Sequence, residues 1–224
     1  MHILKTNIFG NPNVGLFGYA NNNFCLLPFG ASKKLKNEIF EALRVPCYEI
    51  SIAGTNLIGV FVTGNRNSIL VPQIAFEHEI NKLKKLKMNF SIVTSKLTAL
   101  GNNILCNDAG CIVNSEYNSE EINQIQKALK VHVKRGKIAD LNTIGSLASM
   151  NNKGCLMGNM IMERERKSIE QHLNTTCTLG TVNFGSNYIR SGIICNDRGF
   201  VIGNLTSGPE IANADQALGF ITGV

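Results

Sequence analysis

One residue type recurs along this chain at a nearly constant interval. Asparagine stands at five positions separated by 44, 42, 44 and 45 residues, which are Asn21, Asn65, Asn107, Asn151 and Asn196. A period of this length is typical of proteins that use one supersecondary unit several times. The 224 residues therefore contain five copies of one unit, with approximate limits of 1–53, 54–96, 97–140, 141–184 and 185–224.

Each copy opens with the pattern of a β-hairpin. A short apolar run precedes the asparagine, as in residues 104–106, and another begins four residues after it, as in residues 111–113. Two such runs around a turn residue predict a hairpin. In the last three copies a glycine follows the asparagine by three residues, at Gly110, Gly154 and Gly199, and we expect these glycines to adopt a positive φ in the turn.

A helix is predicted after each hairpin. The residues 18 and 22 positions after the asparagines are Ile39, Leu83, Ile125, Ile169 and Ala214, and then Leu43, Lys87, Leu129, Leu173 and Leu218. Residues four apart share one helix face, so both sets point toward a common core. Lys87 departs from the pattern, and we expect Leu86 to supply its apolar contact. A strand-like run follows each helix, clearest in residues 131–133, and completes a β-β-α-β unit.

The composition is that of a folded protein, with 44% hydrophobic and 17% charged residues. A unit this short cannot bury a core alone, so neighbouring units must complete it. We therefore predict an α/β fold in which five ββαβ units close into a pseudo-fivefold ring, forming one domain over residues 1–224.

No run approaches the ~20 apolar residues of a membrane span, so we expect a cytoplasmic protein. A net charge of +6 modestly favours an anionic partner such as RNA.

The cysteines do not predict a metal site or disulfides. Each occupies a position that is small or apolar in other copies: Cys25, Cys111 and Cys155 share one position, Cys106 and Cys195 a second, and Cys47 and Cys177 a third. Free cysteine in a core follows this pattern. A zinc site would require closely spaced cysteine pairs, which are absent from the sequence, so neither a metal nor another cofactor is predicted.

Catalytic chemistry is not predicted either. The four histidines, His2, His78, His132 and His172, have no serine or acid at a recognisable catalytic spacing. The most glycine-rich loop, residues 180–186, is followed by no P-loop lysine and leads into a predicted strand. Lysine and arginine clusters fall on the predicted helices, where a solvated face explains them and electrostatic steering toward RNA is the alternative. We expect a protein that is not an enzyme.

Several short segments together resemble one family. They are residues 51–54, 64–66, 70–72, 97–102, 106–108 and 180–183, with the sequences Ser-Ile-Ala-Gly, Gly-Asn-Arg, Leu-Val-Pro, Leu-Thr-Ala-Leu-Gly-Asn, Cys-Asn-Asp and Gly-Thr-Val-Asn. In this order and spacing they are similar to the archaeal and eukaryotic translation initiation factor 6 family, over the whole chain. The chain ends soon after the fifth predicted helix, so it resembles the compact archaeal members and not the longer eukaryotic ones.

The resemblance implies both a fold and a function. The fold is the pentein type, a β/α propeller with a central channel and outer helices. The implied function is binding to the large ribosomal subunit, near the sarcin-ricin loop and a neighbouring ribosomal protein, with contacts to ribosomal RNA. This binding would block association with the small subunit and would also serve subunit biogenesis. The implied protein is a monomer that binds neither DNA nor membranes.

The contact residues are a hypothesis drawn from the repeat. Six residues before four of the asparagines stand Gly15, Gly59, Gly101 and Gly145, whereas the fifth copy has Arg190. Glycine allows strands to approach closely near the ring axis, so flanking polar residues would form the rim of one face. The residues predicted to dock on the large subunit are Asn13, Asn56, Leu57, Asn102, Asn103, Ser146, Tyr188 and Arg190. The alternative is that these are solvated strand starts.

Two other functional or structural classes fit parts of the sequence. The pentein scaffold also hosts guanidine-modifying hydrolases and amidinotransferases, which need a nucleophilic cysteine with a histidine and acids nearby. Cys195 is the candidate nucleophile, but its counterpart Cys106 occupies the same position in the third copy and no histidine is placed to activate it. A β-propeller repeats at a similar period, but its blades hold four strands and no helix.

Overall fold

The computed structural model describes residues 2–221 and contains five sheets of three strands each. In chain order the strands are β1 (Ile3–Thr6), β2 (Tyr19–Ala20), β3 (Cys25–Leu27), β4 (Cys47–Glu49), β5 (Thr63–Gly64), β6 (Ile69–Pro72), β7 (Phe90–Val93), β8 (Ile104–Cys106), β9 (Gly110–Asn114), β10 (His132–Gly136), β11 (Ala148–Met150), β12 (Cys155–Gly158), β13 (Cys177–Gly180), β14 (Ile193–Cys195) and β15 (Phe200–Gly203). In every sheet the middle strand pairs antiparallel with its hairpin partner and parallel with the third strand.

Each copy also has one short and one long helix. The helices are α1 (Val14–Phe17), α2 (Lys33–Leu43), α3 (Ile58–Phe61), α4 (Glu77–Lys85), α5 (Leu100–Asn103), α6 (Ser119–Leu129), α7 (Glu163–Leu173), α8 (Ile189–Gly192) and α9 (Gly208–Ala217), and a 3₁₀ turn spans Ile144–Leu147. The first four ββαβ units and the five long helices are as predicted, but the strand expected after the fifth long helix is not formed within residues 2–221. Leu86 is half-buried against the core and Lys87 is exposed. This confirms that Leu86 makes the apolar contact that Lys87 cannot make.

The first and last parts of the chain meet in one sheet. Strand β1 lies within the range 1–53 assigned to the first copy, but it pairs with β15 in parallel, with Ile3 opposite Phe200 and Thr6 opposite Gly203. The fifth copy has no third strand after α9 within residues 2–221, so β1 takes that place. The short helices contact one another in a complete circle, α1 to α3, α3 to α5, α5 to the 3₁₀ turn, the 3₁₀ turn to α8 and α8 to α1.

The core is shared between neighbouring copies. The cluster around Ile58 and Leu83 of the second copy includes Tyr19, Leu26 and Ile52 of the first, and each of the other four clusters likewise joins residues of two copies. One copy therefore cannot bury its apolar surface alone, as the sequence predicts for a repeat protein. Five cysteines are buried and two are half-buried among these residues, which confirms their assignment to the core.

The segments between the axial glycines and the asparagines differ from the prediction. The sequence suggested strands there, but Gly15, Gly59, Gly101 and Gly145 lie in the short helical turns that precede β2, β5, β8 and β11. A Cβ on Gly59 would overlap the carbonyl oxygen of Gly15, and the same contact recurs between successive copies. Backbone packs on backbone around the axis, and this requires glycine.

The turn glycines also have a different role from the one expected. Gly110, Gly154 and Gly199 are not among the glycines with positive φ. Instead, a Cβ on Gly154 would overlap the carbonyl oxygen of Ala217 at the end of α9, and one on Gly110 would meet that of His172 in α7. The expectation of positive φ was therefore wrong, because what the turn requires is close approach to the end of the next copy's helix.

The repeated asparagines join each turn to the next copy. The Oδ1 of Asn151 accepts hydrogen bonds from the backbone of Lys153 and Gly154, while its Nδ2 donates to the carbonyls of Asn196 and Leu218 at 3.1 and 3.0 Å. Asn65 and Asn196 donate in the same way to the copies that follow them. The amide is both acceptor and donor, which aspartate could not be, and this explains why asparagine itself recurs.

Candidate interaction face and axial channel

The strand directions give the ring two distinct faces. The first strand of each hairpin runs from a short helix to an asparagine turn. All five short helices, the starts of the long helices and the turns that follow the third strands therefore lie at one end, which we call the helical face. The five asparagine turns and the ends of the long helices lie at the other end, which we call the asparagine face.

Five of the eight predicted contact residues meet at the axis of the helical face. Asn13, Asn102, Ser146, Tyr188 and Arg190 line one open depression of about 470 Å³. The residues come from the first, third, fourth and fifth copies, so the closed ring alone brings them together.

The other three residues have different surroundings. Asn56 is exposed and Leu57 is half-buried just before α3, on the helical face but outside the depression. Asn103 is buried: its Nδ2 donates to the Ala99 carbonyl at 2.9 Å and its Oδ1 accepts from Asn114 at 2.7 Å. These hydrogen bonds hold α5 against β9, so the Asn103 side chain faces the interior and not the rim.

Arg190 also turns inward. Its Nε donates to the carbonyl of Gly59 at 3.2 Å and its Nη2 donates to that of Val62 at 3.0 Å, so the side chain crosses from the fifth copy to the second. Desolvation lowers the pKa of the guanidinium, and the nearby Cys106 and Tyr19 oppose this change. Arg190 is half-buried and lines both this depression and the smaller space next to it along the axis.

The helical face carries an apolar surface that the sequence analysis missed. Of the thirteen large hydrophobic residues that are exposed within residues 2–221, nine lie on it: Phe9, Phe29, Ile74, Phe76, Met160, Met162, Phe184, Tyr188 and Leu205. Phe184 is the extreme case at 79% exposed. Apolar side chains concentrated on one side of a protein are a mark of an interaction surface.

A signal for this surface was present in the sequence. Phe9-Gly10 and Phe184-Gly185 stand at comparable places after β1 and β13, and Phe9 and Phe184 have φ of 54° and 61°. A bulky residue at positive φ is unfavourable, and an exposed phenylalanine there gains no core packing in return. The repeat of an aromatic residue before glycine could have identified the turns as functional.

The asparagine face is polar and partly basic. Asn152 donates from Nδ2 to both Asp108 and Asp197 at 2.8 Å, and the Arg66 Nε lies 3.8 Å from the Asp108 carboxylate. Lys153 is exposed beside this network. The two aspartates therefore join the turns of different copies.

The side chains expected of a guanidine-modifying enzyme are not assembled. Burial raises the pKa of the Cys195 thiol to about 11, against the opposing effect of the Ser149 hydroxyl, so the thiol is neutral near pH 7. His2 pairs with Asp215 at 2.7 Å and the Nε2 of His172 lies 3.0 Å from the Cys111 carbonyl, and neither histidine contacts Cys195.

Within residues 2–221 no three side chains of His, Cys, Asp or Glu gather where they could hold a metal ion. In the same range, no helix is both long and apolar enough to cross a bilayer.

A ring of five ββαβ units around an axial channel defines the protein as a pentein-type β/α propeller. The sequence model of the eIF-6 family matches residues 3–217. The chain is 37% identical to translation initiation factor 6 of Saccharolobus islandicus over 222 residues, which cover 98% of this chain and all of the relative. It is 39% identical to translation initiation factor 6 of Staphylothermus marinus over 97% of this chain and 98% of the relative, and 35% identical to that of Pyrococcus horikoshii over 99% of this chain and all of the relative.

The chain therefore belongs to the eIF-6 family and is a translation initiation factor of the archaeal type.

Proposed function

We propose that this protein binds the large ribosomal subunit and sterically prevents its association with the small subunit, with a second role in large-subunit biogenesis. It acts in the cytoplasm as a monomer and as one domain, and it catalyses no reaction. Membership of the eIF-6 family supports the ribosomal role. The observation that carries the proposal at the molecular level is the concentration of exposed apolar side chains on the helical face.

The helical face has the character of a protein-docking surface. Phe9, Phe76, Phe184 and Tyr188 are each about half or more exposed, and Asn102 and Ser146 add polar groups near the axis. Interfaces combine aromatic anchors with such polar groups. A standard interface of about 800 Å² per partner is less than a tenth of the 9855 Å² surface of this protein, so one face is large enough.

The partner at this face is accordingly a ribosomal protein, the one next to the sarcin-ricin loop. Ribosomal RNA contacts would come from basic residues near the same face, such as the exposed Lys33 and Lys34 at the start of α2. Apolar docking is only weakly salt-dependent, whereas phosphate contacts are strongly so. We therefore expect the affinity for large subunits to fall only modestly as salt concentration rises.

Steric blocking requires a body that holds its shape. The five shared core clusters, the hydrogen bonds of the asparagines and the pairing of β1 with β15 tie every copy to its neighbours. A closed ring resists deformation better than an open repeat array, because it has no free end. When such a body occupies the joining surface of the large subunit, no chemical step is needed to exclude the small one.

Subunit joining followed by light scattering tests the proposal. Isolated large and small subunits are mixed at a fixed magnesium concentration, with and without the protein. We expect the protein to reduce joining when it is first incubated with large subunits, and to have no effect when first incubated with small subunits followed by dilution. Unchanged joining in both orders would refute the blocking role. Release of urea or ammonia from arginine or agmatine would favour the guanidine-modifying class instead.

A further inference from the structure

Six of the seven cysteines lie opposite another cysteine across two paired strands. The pairs are Cys25 with Cys47, Cys106 with Cys111, and Cys155 with Cys177. All seven side chains are free thiols. Packing in a core explains why each position is small and apolar, but it does not require that thiols face one another. The pairing therefore raises the question of whether any pair can be oxidised.

The pair in the β8–β9 hairpin has a backbone geometry that suits a disulfide. The Asn107 amide donates to the Gly110 carbonyl at 3.1 Å, so these two residues form a hydrogen-bonded pair. Cys106 and Cys111 come next on the antiparallel ladder and form a non-hydrogen-bonded pair, in which Cα atoms are about 4.5 Å apart and side chains are closest. Disulfides span Cα separations of about 4.4–6.8 Å, so side-chain rotation alone can join these two. The other two pairs lie on parallel strands, which lack the closer kind of pair.

One thiol of the hairpin pair borders the axial channel. Cys106 is half-buried, and it lines a space of about 60 Å³ along the axis and another of about 50 Å³ among the five asparagine turns. Its Sγ lies 3.4 Å from the Gly64 carbonyl oxygen and 3.8 Å from the Thr63 hydroxyl. Cys111 is fully buried behind it. A water molecule needs roughly 10–15 Å³ by this measure, so hydrogen peroxide fits these spaces and glutathione disulfide does not.

The thiol at the channel is also the more acidic of the two. The neighbouring Cys111 thiol does most to lower the pKa of Cys106, and Thr63 and the charge of Arg190 add to this although burial opposes them. Burial raises the pKa of Cys111, and Cys106 raises it further. The thiolate is the form of cysteine that reacts with oxidants. Cys106 is therefore the sulfur that reacts first, and Cys111 keeps its proton and lies beside it.

We propose that Cys106 and Cys111 form a peroxide-reactive dithiol that closes to a disulfide across the β8–β9 hairpin. The Cys106 thiolate attacks one oxygen of hydrogen peroxide, the O–O bond breaks, and hydroxide leaves and takes a proton from solvent. The Cys111 sulfur then attacks the sulfenic acid on Cys106, the S–O bond breaks, and water leaves with the Cys111 proton. Two thiols lose two electrons, and one peroxide gains them to become two waters. The site is independent of ribosome binding.

Two other sites in the ring each lack part of this arrangement. Cys195 has the same position in the fifth copy and lines the same space, but it lies opposite Phe200 and burial raises the pKa of its thiol to about 11. Cys155 and Cys177 face each other but are 0% and 2% exposed. Cys195 thus has access without a partner, and the other pair has partners without access. Both serve as internal references.

The pair of Cys25 and Cys47 is the rival site. Cys47 is half-buried on an outer strand of its sheet, and the Cys25 thiol does most to lower its pKa, with a further contribution from Lys36 against the effect of burial. Neither cysteine lines the two spaces along the axis. The two lie on different tryptic peptides, so a disulfide between them is recognised separately from one in the hairpin.

Mass spectrometry after brief peroxide treatment tests the proposal. The folded protein is treated, quenched with catalase, unfolded, alkylated and digested with trypsin, which places both hairpin cysteines on one peptide, residues 97–127. We expect this peptide to escape alkylation at both cysteines and to be lighter by two hydrogens. Its conversion should be about tenfold or more faster than oxidation of Cys155 and Cys177, because the thiolate fraction changes tenfold per pKa unit. Glutathione disulfide at the same concentration should leave the peptide fully alkylated.

Variants separate the two chemical steps. In Cys111→Ser the sulfenic acid on Cys106 should persist and be captured by dimedone when the protein is unfolded, and in Cys106→Ser peroxide should leave Cys111 available for alkylation. The matched control is Cys195→Ser, which should form the hairpin disulfide at the wild-type rate. The comparison within the wild-type protein needs no variant, so it decides the matter even if a variant does not fold.

Three results would overturn the proposal. One is a 97–127 peptide that stays fully alkylated at peroxide concentrations that oxidise Cys47. Another is oxidation of Cys155 and Cys177 as fast as that of the hairpin pair. The third is oxidation of Cys111 in folded Cys106→Ser at the wild-type rate, which would show that Cys106 is not the sulfur that reacts first.

Discussion

At the residue scale, the axial glycines set how closely the five copies approach. Each of these glycines faces the carbonyl oxygen of its counterpart in the preceding copy. The pairs are Gly59 with Gly15, Gly101 with Gly59, and Gly145 with Gly101. Their recurrence was visible in the sequence, and so was the exception at Arg190. The one-turn helices that contain them were not predictable, because four residues are too few for a helical period and the conformation is imposed by packing around the axis.

Replacing one of these glycines should open the ring. In Gly101→Ala the new methyl group would overlap the Gly59 carbonyl, and since backbone must shift, we expect a loss of about 3 kcal/mol or more in the free energy of unfolding. The control is Gly208→Ala at the start of α9, where a Cβ meets no atom within 4 Å and alanine favours the helix by up to ~1 kcal/mol. Chemical denaturation measures both variants. Equal stabilities would contradict the role assigned to the axial glycines.

The recurring asparagines predicted part of the structure but not all of their own contacts. The period of the asparagines predicted the repeat, the hairpin turns and the five copies correctly. Their hydrogen bonds to the next copy, such as that of Asn107 to the Leu173 carbonyl at 2.8 Å, join residues 66 apart in the sequence. Local turn chemistry contains no information about such a partner, so this half of the asparagine's role became apparent only from the assembled ring.

At the element scale, glutamates tie the long helices to the turns of the helical face. Glu210 in α9 accepts hydrogen bonds from Ser207 at the start of its own helix, from the Thr181 hydroxyl and from the backbone of Gly185. Glu79 in α4 likewise accepts hydrogen bonds from the backbone N–H groups of Ala53 and Gly54, at 2.8 and 3.0 Å. These contacts position the exposed Phe184 and Phe76. The long helices were predictable from their apolar period, but these links between helix starts and distant turns were not.

The Glu210 contacts should make stability depend on pH. Desolvation alone would raise the pKa of Glu210, but the hydrogen bonds from Ser207, Thr181 and Gly185 outweigh it and lower the pKa from 4.5 to about 2. Because the pKa is lower in the folded state, this stabilisation is complete above about pH 4.5 and is lost as pH falls toward 2. One pKa unit corresponds to 1.36 kcal/mol, so the upper limit of this stabilisation is about 3 kcal/mol.

Glu210→Gln lacks this titration. We therefore expect the difference in unfolding free energy between wild type and Glu210→Gln to be largest at neutral pH and to shrink between pH 4.5 and pH 2. Denaturant titrations across that range measure it. Glu120→Gln, at an exposed carboxylate in the first turn of α6, is the control and should follow the wild type. A difference that stays constant with pH would show that the charge of Glu210 does not matter.

At the scale of the whole molecule, β1 closes the ring. It pairs with β15 over four residues, and the Phe200 amide donates to the His2 carbonyl at 2.8 Å. The fold class and the closed ring followed from the five repeats, whereas the pairing of the first strand with the last copy did not. Sequence periodicity shows that five units exist, but strand pairing over nearly 200 residues leaves no local signal.

Deleting residues 1–7 should therefore open the ring. The deletion exposes the edge of β15, including the fully buried Phe200 and Ile202, and we expect a large drop in the midpoint of thermal unfolding. A synthetic peptide of residues 1–8 should bind the shortened protein and raise the midpoint again, whereas a scrambled peptide should not. Unfolding of the shortened protein at the wild-type temperature would contradict closure by β1.

The central claim is that the helical face carries the binding to the large subunit. Co-sedimentation with isolated large subunits tests it most directly, with wild type, a helical-face variant combining Phe184→Glu and Tyr188→Glu, and an asparagine-face control combining Lys130→Ala and Lys153→Ala. Loss of two central anchors typically costs at least 2 kcal/mol, so affinity of the first variant should fall by roughly thirtyfold or more. The control should sediment like the wild type. Retention of full binding by the helical-face variant, or its loss in the control, would contradict the account.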